Sequence, residues 1–208
     1  MERVNSDQLN LFKTHSRIIF AGCSNSGKSF LINKIIEKYD RCFDKIITCG
    51  IDEGELTARE NIEVKRGNYD PMTDDSLYGH VLLVVDDLMH NKHYLQVVAN
   101  VFAKGRHRGI SCIFVTQNLY LADKHYRTIS LNASHFLLFK MRDIRQIAHF
   151  ARTFIERENQ DSFVSCYRKN VLEKEYGHLL VDFTKQMNNP LMLRSNLLGS
   201  EFQLCIQL

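Results

Sequence analysis

The stretch GCSNSGKS at residues 22–29 constrains the fold of this chain more than any other feature of its sequence. It matches the pattern G-x-x-x-x-G-K-[ST] at every defined position. The apolar run RIIFA precedes it, and FLINKIIEKY, with apolar residues at helical spacing, follows it. A strand, a glycine-rich loop and a helix in this order are typical of a phosphate-binding loop, whereas a chance glycine turn needs neither neighbour. The sequence therefore predicts an α/β domain that binds a nucleotide.

The loop predicts a role for each kind of residue in it. Glycines let the backbone curl so that successive N–H groups converge on a phosphate. The helix that begins near Lys28 adds the positive end of its dipole. Lys28 supplies a charge for the β- and γ-phosphates, and Ser29 supplies a hydroxyl for Mg²⁺. The predicted nucleotide-binding residues are Gly22, Cys23, Ser24, Asn25, Ser26, Gly27, Lys28 and Ser29.

The segment HVLLVVDDLM at residues 80–89 is an apolar run that ends in two carboxylates, Asp86 and Asp87. Asp86 ends the predicted strand at the position where P-loop enzymes hold Mg²⁺ with an acidic residue. Ser29 and Asp86 are therefore the predicted metal ligands. Asp87 is placed to polarise the attacking water as a general base. The alternative is a solvated strand end in which Asp87 caps the next helix.

Two further segments carry polar groups that suit nucleotide hydrolysis. FVTQN at residues 114–118 ends a buried run, and Gln117 is our candidate for an amide that senses the γ-phosphate. The alternative is an ordinary polar loop after a strand. KGRHRG at residues 104–109 offers Arg106 and Arg108 as arginine fingers for a neighbouring subunit. The same cations also suit a solvated helix end, where they complement the dipole.

Elsewhere, short apolar runs alternate with longer helical stretches, which favours a layered α/β sheet. The helix predicted at residues 143–155 places Ile144, Ile147, Ala148, Ala151 and Ile155 on one face. Residues 52–79 are acidic and irregular, and are not assigned except for a short strand candidate at 62–67. Strands are predicted at 17–21, 45–50, 80–89, 110–118, 133–140 and 178–183, with 191–198 pairing beside the last. Further helices are predicted at 30–39 and 93–109.

Composition excludes several classes of protein. The 208 residues are 44% hydrophobic and 25% charged with a net charge of +3, so a nucleic-acid contact has to be local. No apolar run approaches the roughly 20 residues of a membrane span. The N-terminal segment is polar and lacks the apolar core of a signal peptide. The six cysteines form no CxxC pair and are expected to be buried free thiols of a reducing compartment.

The order GCSNSGKS, VLLVVDD and FAKGRHRGISCIFVTQN resembles the FtsK–HerA superfamily of DNA-pumping ATPases. Within it, the sequence is most similar to viral genome-packaging ATPases of poxvirus type, which Maverick/Polinton transposons also carry. The Asp-Asp pair and the run GRHRGIS before TQN favour that branch. The later segments SLNASHFLLFK and YGHLLVDFTKQMNNPLMLRSNLL look like its later sheet strands. The resemblance spans residues 16–198.

The resemblance implies a RecA/FtsK-like three-layer sandwich with a largely parallel central sheet and additional C-terminal strands. It implies an N-terminal extension at residues 1–15, an ATPase motor at 16–198 and a tail at 199–208. Its implied cofactors are ATP and Mg²⁺. Asp87 is the implied base, although many relatives have Glu there, and Arg106 is the first finger candidate and Arg108 the second.

The resemblance also implies what the protein does and where. The expected function is ATP-driven packaging of double-stranded DNA, without sequence preference, by a pentameric or hexameric ring that acts with capsid proteins. No membrane partner is expected. The expected location is the host cytoplasm or nucleus at assembling virions, with the virion as an alternative, and not the outside of the cell.

Two other functions remain open on the sequence alone. One is a nucleotide-dependent switch that recruits partners without pumping DNA, because P-loop folds host both roles. The other, a small-molecule kinase, lacks a clear acceptor pocket and lid. Candidate DNA contacts are residues 123–127, residues 140–145, Lys65 and Arg66, each of which also suits a solvated surface.

Overall fold

The computed structural model describes residues 11–12, 15–50, 61–66, 69–86, 88, 90–185, 192–195, 197 and 203–204. Within them, one mixed sheet has helices on both faces, which confirms the predicted three-layer α/β fold. None of the helices in these ranges is long and apolar enough to cross a membrane.

Nine strands form the sheet in the described part of the chain. They are β1 (Arg17–Ala21), β2 (Lys45–Cys49), β3 (Ile62–Lys65), β4 (Val81–Val85), β5 (Ile110–Thr116), β6 (His135–Leu138), β7 (Leu179–Asp182), β8 (Leu193–Ser195) and β9 (Gln203–Leu204). Their spatial order is β3-β2-β4-β5-β1-β6-β7-β8-β9. The first six in this order pair in parallel and the last three add antiparallel, so the predicted extra C-terminal strands are present.

The helices divide unequally between the two faces of the sheet. They are α1 (Lys28–Tyr39), α2 (Lys92–Lys104), α3 (Lys124–Asn132), α4 (Arg145–Phe154) and α5 (Gln160–Tyr167), the last continuing into a π-helical turn at Arg168–Leu172. The apolar residues of α1 pack on one face, together with Leu11 and Phe12. Those of α2 to α5 pack on the other. Parallel strands covered on both faces are apolar throughout, which explains why VLLVV is buried at every position of β4.

The structure corrects the predicted buried face of α4. Ile147 and Ala151 are buried as expected, but Ile144 is 37% exposed because it precedes the first residue of the helix. Phe150, which the sequence analysis did not assign to the core, is buried against Phe136, at 5.0 Å between ring centroids. Helices α3 and α5 were not predicted either.

The cysteine prediction is confirmed in part. The five cysteines of the described residues are free thiols, and Cys49, Cys112 and Cys166 are buried. Burial raises the pKa of the Cys49 thiol to about 11. Cys42, however, is exposed and Cys23 half-buried, and Cys205 lies outside the described residues. The domain boundaries stay a prediction, although Leu11 and Phe12 of the predicted extension pack into the core.

Candidate nucleotide site

The phosphate loop follows β1, which lies between β5 and β6 in the sheet. The Gly22 N–H donates to the Thr116 carbonyl at the end of β5, at 3.1 Å. The Cys23 N–H donates to the Lys140 carbonyl just after β6, at 2.8 Å. Helix α1 then begins at Lys28. These main-chain bonds anchor the loop to the carboxyl edge of the sheet, where open α/β sheets bind their ligands.

The two glycines that the motif defines, Gly22 and Gly27, stand where a larger residue would clash or be strained. A Cβ on Gly22 would lie 2.5 Å from the Phe139 Cβ and 2.9 Å from the Ser26 Oγ. Gly27 has a φ of +94°, in the left-handed region that favours glycine. The motif spacing therefore reflects real steric limits on how tightly this loop curls.

Lys28 lies across the loop rather than out in solvent. Its Nζ donates to the carbonyls of Gly22 and Cys23, at 2.8 Å each. The Ser26 hydroxyl is buried and makes no hydrogen bond within the described residues. A cradle of main-chain amides, an ammonium group and an orphaned hydroxyl fits a phosphate chain. The exposed loop residues are Ser24, Asn25 and Ser29.

Asp86 lies at the same edge of the sheet as the loop. Its N–H donates to the Cys49 carbonyl at 2.9 Å, which continues the ladder between β2 and β4. Val84 packs on the α1 face and Val85 on the other, so an extended backbone turns Asp86 back toward α1. Strand β5 separates β4 from β1, which places the two strand ends about 10 Å apart.

The metal ligands predicted from sequence fit this arrangement. The hydroxyl of Ser29 and the carboxylate of Asp86 are hard oxygen donors, the kind that Mg²⁺ takes along with phosphate oxygens and water. No cluster of three or more His, Cys, Asp or Glu residues that would form a full protein cage occurs in the described part of the chain. Asp87, the predicted base, lies outside the described residues.

Gln117 directly follows the residue that anchors the loop, and it is exposed. Its position is fixed by the residues after it. The Leu119 N–H donates to Gln146 Oε1 on α4 at 2.8 Å, and the Tyr126 hydroxyl of α3 donates to the Leu119 carbonyl at 2.9 Å. The backbone just after β5 is therefore held in place beside the phosphate loop, and the role of Gln117 stays a prediction.

Arg106 and Arg108 lie at the opposite edge of the sheet, on a 3₁₀ turn at Gly105–Arg108 that precedes β5. The seven residues of β5 put about 20 Å between this turn and the loop of the same chain. Arg108 is engaged internally, since its guanidinium donates to the Met72 carbonyl and, at 3.0 Å, to the Asp74 carbonyl. Arg106 is exposed. The burial of Arg17, together with the nearby charge of Arg106, lowers the pKa of Arg17.

The structure adds residues that sequence reasoning missed. The buried Tyr167 hydroxyl donates to the Phe139 carbonyl at 2.8 Å and accepts the Met141 N–H at 3.1 Å. It thereby fixes the segment whose Lys140 carbonyl holds the phosphate loop. Burial raises the pKa of the Tyr167 hydroxyl to about 12. Tyr176, in the turn before β7, lies beside Gly27, where an added Cβ would be 3.2 Å from the Tyr176 Cβ. No local pattern marks either tyrosine, because both lie beside segments distant in sequence.

Comparison with protein-family models and with curated protein sequences finds no match. Solved structures do share the fold. The genome packaging NTPase B204 from Sulfolobus turreted icosahedral virus 2, in complex with ATP-gammaS, is 17% identical over 92% of this chain and 97% of its own, with a TM-score of 0.57. B204 from Sulfolobus turreted icosahedral virus, a DNA-packaging ATPase, is 16% identical over 88% and 98%, with a TM-score of 0.60.

A second kind of protein shares the fold over a smaller part of its length. The cytoplasmic domain of the type VII secretion ATPase EccC from Thermomonospora curvata is 11% identical over 83% of this chain, with a TM-score of 0.54. The aligned part is 25% of that longer chain. At these identities the likeness concerns architecture: the chain has the P-loop NTPase fold that B204 and EccC share.

Proposed function

We propose that this chain is an ATP-hydrolysing DNA translocase that packages a double-stranded DNA genome into a viral capsid. The observation that carries the proposal is the anchored phosphate loop, with Lys28 across it and Asp86 and Gln117 at the same edge of the sheet. The similarity in fold to B204, a genome packaging NTPase, over 92% of this chain supports genome packaging as the role of ATP hydrolysis.

In this proposal the chain's own residues hold and polarise the nucleotide. Main-chain amides of residues 22–29 and the Lys28 ammonium bind the phosphates. Ser29 and Asp86 would hold Mg²⁺, which would neutralise charge on the transferring phosphoryl group. Asp87 takes a proton from the attacking water, and Gln117 positions that water.

The finger has to come from a neighbouring subunit. Arg106 lies about 20 Å from the loop of its own chain, so it reaches a nucleotide only across a subunit boundary. We therefore propose a homo-oligomeric ring, pentameric or hexameric, with ATP at each boundary. Arg108 suits this role less well than Arg106 because its guanidinium is bound to the segment 72–75 of its own chain.

Contact with DNA needs only its phosphates, since packaging ignores sequence. Lys124 and Arg127 project from the exposed side of α3, which makes residues 123–127 our preferred contact. Other candidates are compensated: Lys65 pairs with Glu63, and Arg145 pairs with Asp143 at 2.9 Å. Capsid proteins would be the second partner, at virions assembling in the host cytoplasm or nucleus.

The test is ATP hydrolysis by the purified full chain with and without duplex DNA, across a series of salt concentrations. A translocase is expected to hydrolyse faster with DNA, and the stimulation should weaken as salt rises because phosphate contacts release counterions. The matched control is a Lys124→Ala, Arg127→Ala double variant, in which basal hydrolysis stays and stimulation falls. ATP binding without stimulation at any salt concentration would instead favour a nucleotide-dependent switch.

A further inference from the structure

The turn between the π-helical turn and β7 emerges at the nucleotide edge of the sheet. Strand β7 runs antiparallel to β6, with Leu179 level with Leu138. The first residue of β7 therefore lies at the edge where β1 and β6 end and where the phosphate loop begins. Residues 173–178 are thus placed beside the loop by the topology.

One residue of this turn, Tyr176, lies beside the phosphate loop. A Cβ on Gly27 would lie 3.2 Å from both Cβ and Cδ1 of Tyr176. The tyrosine is nevertheless 62% exposed, so much of its ring faces solvent. Its φ of +51° is unusual for a tyrosine, and such conformations persist where the surrounding structure enforces them.

The structure around the turn does enforce it. A Cβ on Gly177 would lie 2.4 Å from the Asn170 carbonyl, so this backbone is packed directly on the π-helical turn. Asn170 is itself fixed, since its Oδ1 accepts the Lys174 ammonium at 3.1 Å and the Ser195 hydroxyl at 3.2 Å. The backbone that carries Tyr176 is therefore held beside the loop by the π-helical turn, which β8 supports through Ser195.

Tyr176 also borders a cavity of about 270 Å³. This volume is near the lower end of small-molecule sites. Its lining includes the polar residues Glu175 and His178, together with Asn170, Lys174 and Ser195, which hydrogen-bond one another. Tyr176 thus lies beside Gly27 of the phosphate loop and also lines this polar recess.

We propose that Tyr176 forms the base subsite: the nucleobase of the bound nucleotide stacks on its ring, with the cavity beside it. The proposal rests on nucleotide binding by the phosphate loop. An exposed aromatic ring is a suitable platform because stacking on π faces is favourable for every base. The turn that carries Tyr176 thereby acts on affinity for the nucleoside part and not on the phosphates.

The test compares two probes, ATP and inorganic tripolyphosphate, which carries the same phosphate chain without a base. Affinities are measured by calorimetry on the full chain. Tyr176→Asn removes the ring, and asparagine tolerates the left-handed backbone, so the loss reports the ring. We expect ATP affinity to fall about tenfold or more and tripolyphosphate affinity to stay within about twofold. Tyr176→Phe keeps the ring and should keep both affinities.

Tyr78→Asn is the matched control, since Tyr78 is an exposed tyrosine at the amino edge of the sheet, just before β4. It should change neither affinity. Unchanged ATP affinity in Tyr176→Asn, or an equal loss for both probes, would overturn the base subsite. Failure of nucleotide binding as such would appear differently, as a wild-type chain that binds neither probe or a Lys28→Ala variant that binds both normally.

Discussion

The two edges of the sheet use charge in opposite ways. At the carboxyl edge, the phosphate loop, Asp86 and Gln117 place polar groups near one another, and Ser29 and Gln117 are exposed. At the amino edge, one group of charged side chains pairs within the protein. Asp182 pairs with Arg194 at 2.6 Å and with His135 at 3.2 Å, and all three are buried.

Arg106 and Arg108 show the same contrast within one turn. Both precede β5 at the amino edge, yet Arg108 is bound to the segment 72–75 and Arg106 is exposed. The difference shows that the position of an arginine at the amino edge does not by itself determine its role. A cation whose donors are satisfied internally stabilises the fold, and an exposed one beside it is available to another subunit.

The largest effect is expected from Lys28→Ala. The variant removes the ammonium that spans the loop and the charge that binds the phosphates, so hydrolysis should fall to background. A coupled assay of phosphate release measures it. Lys34→Ala, on the same helix and paired only on the surface with Glu37, is the control and should keep wild-type turnover. Equal turnover in both variants would show that Lys28 and its phosphate loop are not needed for hydrolysis.

Arg106→Ala should come next, with kcat lower on the order of a thousandfold and ATP affinity unchanged. In the proposed ring, the arginine acts on the transferring phosphoryl group across a subunit boundary and contributes nothing to ground-state binding. Steady-state kinetics and calorimetry separate the two. Lys104→Ala, another exposed cation before the same turn, should leave kcat intact. A raised Kd for ATP with normal kcat would argue against a finger.

Breaking the closed network at the amino edge should affect stability. Burial alone would raise the pKa of the Asp182 carboxyl, but His135, Thr184 and Arg194 together lower it to about 2. Its stabilisation is therefore complete above the unfolded-state pKa of about 4 and is lost as pH falls through about 2. Asp182→Asn leaves Arg194 without its buried partner and should cost about 3 kcal/mol at neutral pH.

Urea unfolding at several pH values measures this contribution. The difference in unfolding free energy between wild type and Asp182→Asn should shrink between pH 4 and pH 2. Asp161→Asn, which changes an exposed carboxylate on α5, should follow the wild-type curve. A difference that does not vary with pH would mean that Asp182 contributes through packing and not through charge.

The smallest effect is expected from Arg108→Ala. Its hydrogen bonds to the carbonyls of Met72 and Asp74 are partly exposed, so their loss should cost about 1–2 kcal/mol of unfolding free energy. The kcat of the folded variant should stay near the wild-type value. A thousandfold fall in kcat for Arg108→Ala, with Arg106→Ala normal, would exchange the roles of the two arginines.

The sequence predicts the parts of this molecule that local patterns encode. A steric motif fixes the phosphate loop, and buried parallel strands are mostly apolar, so β1, β4 and β5 are evident. The periodicity of α4 identifies the helix but misplaces Ile144, because the pattern does not say where the first turn begins. Helix α3 is missed since its nine residues carry few apolar positions and only Tyr126 and Ile129 are buried.

The candidate site is predictable to a similar extent. Its loop, its carboxylate and its amide follow strand ends and are visible as motifs. The support from Tyr167 and the position of Tyr176 beside Gly27 are not, because the packing of α5 creates the first and the antiparallel pairing of β7 with β6 the second, and no motif marks either. Hydrogen bonds to the segment 72–75 distinguish Arg108 from Arg106, whose Nε donates to the adjacent His107 at 3.4 Å, and the sequence shows two equivalent arginines.

The central claim is a site shared between the carboxyl edge of one subunit and the amino edge of the next. Mixing the two inactive variants, Lys28→Ala and Arg106→Ala, tests it most directly. A boundary formed by the intact loop of one variant and the intact Arg106 of the other is complete, so co-assembled mixtures should regain DNA-stimulated hydrolysis. Mixtures that co-assemble, as shown by their mass in solution, and yet stay inactive at every ratio would contradict the claim.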